Sequence, residues 1–252
     1  LTMLQTTLNL EDNSTLTSNE ALSFDNLTLN DFTLTLGSKT SDLTVQNAIT
    51  IDSSGEGILT RLADLSMGAL TLSAGDVTST GGIISLLGGG QLSGSGILDV
   101  SGSTWVLVGN FEKSGGTLTI SNTDLALGGI TTLTSDEALI FVALNLNDYA
   151  LTLGSSDSDL TVQHAITIDA ITEGIFTGVA DLILNRALTM SNGRLESTGG
   201  TIKLAHGQIQ TSKFSGDARM MLDNTTLTSD DGSLIAFIEI DGEPDLSMTD
   251  SS

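Results

Sequence analysis

Cysteine is absent from the 252 residues, and proline occurs once, at Pro244. The first absence removes disulfides, thiolate catalysis and Cys-ligated zinc together. It is compatible with bacterial secretion without proving a compartment. Aromatics make up 4% of the chain, with Trp105 and Tyr149 the single Trp and Tyr. A large compact core usually uses bulky aromatic filling, so their scarcity points to a narrow core filled by aliphatics. Charged residues reach 15%, below the share of about a quarter usual in globular domains. Positive charge is scarcest: 8 basic residues stand against 31 acidic ones, a formal net charge of −23. Such a field repels phosphate backbones and anionic lipid, which speaks against nucleic-acid binding. It also keeps a long exposed fibre soluble and leaves carboxylates open to divalent cations. No run of 18 or more apolar residues occurs, so membrane insertion is not expected. A basic n-region of a signal peptide is missing too. The chain reads as an internal fragment of a larger secreted protein, extracellular or at the cell surface, with its address label elsewhere.

What the sequence does contain is repetition, which is sought before other features. Residues 29–52 read LNDFTLTLGSKTSDLTVQNAITID, and residues 146–169 read LNDYALTLGSSDSDLTVQHAITID. Of these 24 pairs, 19 are identical at an offset of 117, which chance does not produce. Upstream, Glu20-Ala21-Leu22 returns as Glu137-Ala138-Leu139; downstream, Glu56-Gly57-Ile58 and Ala63-Asp64-Leu65 return as Glu173-Gly174-Ile175 and Ala180-Asp181-Leu182. After one inserted residue, Ser79-Thr80-Gly81-Gly82 returns as Ser197-Thr198-Gly199-Gly200. A third opening is visible where Asp12-Asn13-Ser14-Thr15-Leu16-Thr17-Ser18 is matched by Asp223-Asn224-Thr225-Thr226-Leu227-Thr228-Ser229. The second unit is shortened, and loss of whole coils without loss of pattern is natural where each coil contacts only its neighbours.

Within a unit the local signal is a short strand followed by a break. Leu27-Thr28-Leu29, Leu34-Thr35-Leu36, Leu43-Thr44-Val45, Ile49-Thr50-Ile51, Leu70-Thr71-Leu72, Ile84-Ser85-Leu86, Leu98-Asp99-Val100 and Leu118-Thr119-Ile120 share one alternating form. Alternation turns the aliphatics inward and Thr outward, and the branched Cβ of Thr favours extended backbone. Gly37-Ser38, Gly88-Gly89-Gly90 and Gly115-Gly116 supply residues suited to tight corners. The nearest approach to a helix, residues 58–67, has a counterpart at 175–184 that suits a strand as readily. Three- to five-residue strands with one buried face are stable only when stacked. The expected fold is therefore all-β, a parallel β-solenoid built from long multi-coil repeats. One continuous solenoid is expected over 1–240, with units at about 8–124 and 125–221 and a third starting at 222; 241–252 reads as polar tail or linker. At roughly 20–25 residues per coil and about 4.8 Å per coil, the rod would be on the order of 50 Å long. A β-sandwich is the alternative, disfavoured by the missing long strands and aromatic core. The expected core rungs are Leu34, Leu36, Leu43, Val45, Ile49 and Ile51, with Leu151, Leu153, Leu160, Val162, Ile166 and Ile168.

Two stretches, Gly94-Ser95-Gly96-Ile97-Leu98-Asp99-Val100-Ser101-Gly102 and Gly115-Gly116-Thr117-Leu118-Thr119-Ile120, resemble the coils of bacterial β-helical surface proteins. Those proteins include autotransporter passengers and filamentous-haemagglutinin-like repeat adhesins. The resemblance implies a right-handed parallel β-helix, secretion, and a role in adhesion or surface display. It carries over no catalytic residue.

Candidate chemistry is sparse. Glu56 with Asp64, and their copies Glu173 with Asp181, are the best carboxylate pairs for acid–base work on a polysaccharide. Faithful copying in consecutive units suits structural positions better than an active site. His164 and His206 lack a second ligand at metal-site spacing, and His164 replaces Asn47 of the other copy. Residues 88–94 superficially resemble a Gly-rich calcium nonapeptide but lack its Asp. The acidic corners Asp157/Asp159 and Asp230/Asp231 leave open a weak surface Ca2+ interaction. Outward Thr rows invite an ice-binding reading, but the Thr-Leu-Thr triplets at 15–17, 33–35, 117–119, 132–134 and 226–228 are irregularly spaced. Asn13, Asn26 and Asn224 open N-glycosylation patterns that matter only in a eukaryotic source. No catalytic, cofactor-binding or metal-ligating residue is assigned, and no enzyme activity is expected. The expectation is a rigid stalk or adhesive filament, with a ligand-binding β-helix (ice or glycan) as the alternative. Its expected partners are neighbouring repeats of the same chain and, outside it, a glycan or a host or cell-surface ligand.

Overall fold

The computed structural model describes residues 6–204 and, beyond them, the backbone of the strands Ser212–Ser215, Arg219–Asp223, Thr226–Ser229, Ile238–Asp241 and Asp245–Thr249. His206, Asp230, Asp231, Asn224 and Pro244 lie outside the described residues. Among the described residues there is no helix, and the strands pair in parallel. The fold is a parallel β-solenoid. The chain divides into two compact units, Leu1–Asp124 and Leu125–Ser252.

In the first unit, strands stack in columns. One column runs Ser14–Leu16, Thr33–Leu36, Gly57–Arg61, Asp76–Ser79, Ile97–Asp99 and Thr117–Thr119. Its register pairs Leu34 with Ile58, Ile58 with Val77, Val77 with Leu98, and Leu98 with Leu118. One coil therefore takes 24, 19, 21 and 20 residues in turn. The other wall is made of longer strands bent in the middle. Leu43–Ile51 pairs with Leu65–Leu72 through two stretches, Leu43–Val45 and Ala48–Ile51, with a register shift between them. The two strands expected at 43–45 and 49–51 are thus arms of one element.

Between the two coils of extreme length the net difference falls at the corners, because the one extra residue in Leu43–Ile51 and the one at Thr60 offset each other. From Leu34 to Ile58 the corners hold residues 37–42 and 52–56; from Ile58 to Val77 they hold only 62–64 and 73–75. The five extra residues are all in the bends. Inner register is kept because a one-residue slip along a strand would turn its aliphatics to solvent. Glycine is required where a bend folds tightest. Gly75 has φ +68°, and a Cβ there would run into the carbonyls of Ser53 and Glu56.

The second unit repeats this construction. Ala150–Leu153, Gly174–Gly178 and Arg194–Ser197 form one column, followed by the backbone of Arg219–Asp223 and Asp245–Thr249. Leu139–Phe141, Leu160–Val162, Leu182–Leu184 and Thr201–Leu204 form a second, and Ile166–Ile168 with Leu188–Met190 begin a third. Leu151 pairs with Ile175 and Ile175 with Leu195, so the coils take 24 and 20 residues. The single inserted residue seen between the repeats falls in the second of these. The stretch 241–252, read as a polar tail, contains the strand Asp245–Thr249, which pairs with Arg219–Asp223. Leu246 and Met248 alternate there with polar residues, a pattern short enough to pass for linker.

The interior of each unit is an aliphatic ladder. All twelve expected rungs are buried, none more than 4% exposed. Full burial of one such side chain stabilises by about 1.5–3 kcal/mol, so successive rungs hold the coils together where single strands would not persist. The few aromatics are used inside as well. Trp105 and Phe111 are both buried, with ring centroids 4.8 Å apart at 86°, an edge-to-face contact. Lys113 also points inward and is buried, in register with Leu92 of the preceding coil.

Candidate functional site

The carboxylates that the sequence singles out are engaged with backbone. Glu56 sits at the end of the 52–56 corner. Its Oε2 accepts N–H bonds from Asp52 (3.0 Å) and Ser53 (3.4 Å), and its Oε1 one from Asp31 in the preceding coil (3.5 Å). Glu173 repeats this at 2.7 Å from Asp169 N, 3.2 Å from Ala170 N and 3.2 Å from Asp148 N. The acceptor site exists because the preceding coil presents its amides in an unusual conformation. Asn30 and Asp31 have φ of 54° and 68°, and Asn147 and Asp148 have 51° and 68°. Asn and Asp are the non-glycine residues that tolerate this region best. Asn30 Nδ2 and Asn147 Nδ2 then reach back one further coil, each donating at 2.9 Å to a carbonyl, of Leu10 and of Leu127.

The aspartates form a staircase. Asp42 Oδ1 accepts from Asp64 N (3.0 Å), and Asp64 Oδ1 accepts from Ile83 N (2.7 Å). In the second unit Asp159 Oδ1 accepts from Asp181 N (2.8 Å), and Asp181 Oδ1 from Thr201 N (2.6 Å). Each carboxylate clips the next coil at its corner. Glu56 and Asp64 are therefore tied to separate corners and separate amides, as are Glu173 and Asp181. A polar concavity does open beside Asn147, Asp148, Thr167, Asp169 and Glu173, but the Glu173 oxygens facing it are already bonded to three amides.

Other expected positions fall on the surface or inside the wall. His164 is exposed, and its backbone N–H donates to Val142 O (2.8 Å). Asp157 is exposed, while Asp159 belongs to the staircase. Among the described residues, no group of three or more His, Cys, Asp or Glu is placed to hold a metal ion. Gly90–Leu92, within the glycine-rich stretch, is a strand paired on both sides. Asn13 and Asn26 are exposed, and both side-chain oxygens are taken up by neighbouring coils, from Thr33 N (2.8 Å) and Asn47 Nδ2 (3.0 Å). On the outer face of the first unit's first column, the row Thr15, Thr35, Leu59, Thr78, Asp99 and Thr119 is interrupted twice.

Two features escaped the sequence reading. The strands Gly57–Arg61 and Gly174–Gly178 each carry an extra residue, Thr60 and Thr177, where the register shifts. Both side chains are fully buried, and neither Oγ1 has a hydrogen-bond partner. The residue after each bulge adopts a left-handed φ, 57° at Arg61 and 58° at Gly178. The second feature is an outward face of the second unit. There Thr152, Phe176 and Glu196 stand in one row, with Ala150, Gly174 and Arg194 beside them. The Phe176 ring lies over Gly174, where a Cβ would meet its Cε2 at 2.9 Å and Cζ at 3.2 Å. Arg194 and Glu196 pair at 3.3 Å. The only sequence signal was substitution between copies: Leu59, Asp76 and Thr78 occupy the corresponding places in the first unit.

No family model, curated protein or solved structure matches the chain.

Proposed function

We propose that this chain is a structural repeat segment of a larger secreted or cell-surface protein, serving as a rigid stalk or adhesive filament of the β-helical adhesin type. The observation that carries this reading is the use made of the repeated carboxylates. Glu56, Asp64, Glu173 and Asp181 are the best acid–base candidates, and all of them accept backbone N–H bonds at corners or from the next coil. Hydrogen bonds to a charged acceptor contribute about 1.5–3 kcal/mol when sheltered from water, so these residues act as clips. Aliphatic rungs inside and clipped corners outside favour resistance to unfolding over a mobile, solvent-excluding cleft. The mechanism is mechanical: load passes along inter-coil backbone hydrogen bonds while the interior excludes water.

Single-molecule stretching of the purified chain between its ends tests the proposal, together with antibody labelling of intact source cells. Discrete force peaks as coils detach, and labelling without permeabilisation, are expected. Extension without resolvable peaks, or labelling only after permeabilisation, would overturn it.

A further inference from the structure

We infer that the outward face around Phe176 in the second unit is a binding platform for a hexopyranose unit of a neutral polysaccharide. This rests on the adhesive branch of the reading above and assigns it a ligand class and a place. Phe176 is half-buried on the outward side of its strand, and its ring edge leans over Gly174. Glycine at 174 is what permits this posture, since any side chain there would lift the ring. An outward aromatic ring fits the apolar C–H face of a sugar ring, which attracts the negative face of the π-system. Hydrogen-bonding groups flank it at sheet spacing: Thr152 one coil before, Glu196 and Arg194 one coil after, in direct register with Phe176 and Gly174. Adjacent strands lie about 4.8 Å apart, a step comparable to the width of one sugar ring. A hydroxyl pair can therefore meet Glu196 as acceptor and Arg194 as donor while the ring stacks. Those two side chains already meet at 3.3 Å.

The chain's own charge selects among saccharides. At −23 it repels uronate- or sulfate-bearing polymers, leaving neutral ones. The first unit is an internal comparison. Its rungs are copied closely, yet this face carries Thr35, Leu59, Asp76 and Thr78, without an aromatic ring or a cation. The copies agree where coils are held together and diverge at this outward face.

Affinity electrophoresis of the full chain through gels containing soluble β-glucan, mannan or xylan, with polygalacturonate as the acidic comparison, tests the inference. Retardation by at least one neutral polymer and none by polygalacturonate is expected. Phe176→Ala should weaken retention about tenfold, the size of one aromatic contact, and Glu196→Gln should weaken it without altering the melting curve. Leu59→Ala should leave retention unchanged. Absence of retardation in all three neutral gels, or wild-type retention by folded Phe176→Ala and Glu196→Gln, would overturn the platform. Neither result touches the mechanical reading, which the stretching experiment decides separately.

Discussion

Thr60 and Thr177 each carry a hydroxyl into an aliphatic interior where nothing accepts its proton or donates to it. Valine has the same branched shape with a methyl in place of the hydroxyl. An uncompensated buried hydroxyl costs about 1–3 kcal/mol judged from mutational data, so Thr60→Val and Thr177→Val should each stabilise by that amount. With an m-value of about 3 kcal/mol per M in urea, the midpoint for the affected unit should rise by about 0.3–1 M. Each site lies in its own compact unit, and the double variant should show both gains. Serine is the control: it keeps the hydroxyl and deletes the methyl, so Thr177→Ser should lower stability by about 1 kcal/mol. Urea unfolding followed by circular dichroism reads the midpoint, and native-state hydrogen exchange over Gly57–Arg61 and Gly174–Gly178 shows whether the gain is local. A fall in midpoint for both valine variants would refute the reasoning, because it would mean that each hydroxyl is satisfied by an internal water.

Further outcomes follow from the same geometry. Glu173→Ala leaves three corner amides without their charged acceptor and should cost about 1–3 kcal/mol; the loss from Glu56→Ala should be smaller because Glu56 is less buried. Thermal melts of the two variants side by side check that order. Arg61→Gly should raise the melting temperature slightly, gaining about 1 kcal/mol or less, because glycine adopts the φ of 57° without penalty and already occupies the matching place at Gly178. Ile49→Asp places a carboxylate at a fully buried rung and should cost more than about 4 kcal/mol, seen as loss of the folded signal. Unchanged melting of that variant would contradict the ladder itself.

Much of this architecture was legible in the sequence because its determinants are local. Leu34-Thr35-Leu36 and Ile49-Thr50-Ile51 announce their inward faces by alternation alone, and the corners by Gly, Asn and Asp. What escaped was set by register between coils. Nothing in Gly57-Ile58-Leu59-Thr60-Arg61 reveals that Thr60 is the unpaired residue of a bulge; that depends on Ser79 lying opposite Arg61. Lys113 follows Phe111 and Glu112, and strand alternation carries its charged side chain inward on the same face as Phe111. Glu56 could be recognised as copied, and structural use was the better guess, but its three amide partners come from two coils whose juxtaposition only folding supplies. The face around Phe176 is hidden for the same reason, being assembled from positions 152, 176, 194 and 196.

Because the bends alone absorb the difference between a 24-residue and a 19-residue turn, their lengths are decoupled from the ladder they enclose. Loop closure penalises added length only logarithmically. A peptide grafted after Ser54, in the exposed 52–56 bend, would give up the bonds from Asp52 and Ser53 to Glu56 but ask nothing of Ile51 or Ile58 beneath it. Lineages carrying such a chain can edit what the outside world meets while leaving the barrel of the tube untouched, and an engineer can use the same liberty to mount epitopes at measured intervals.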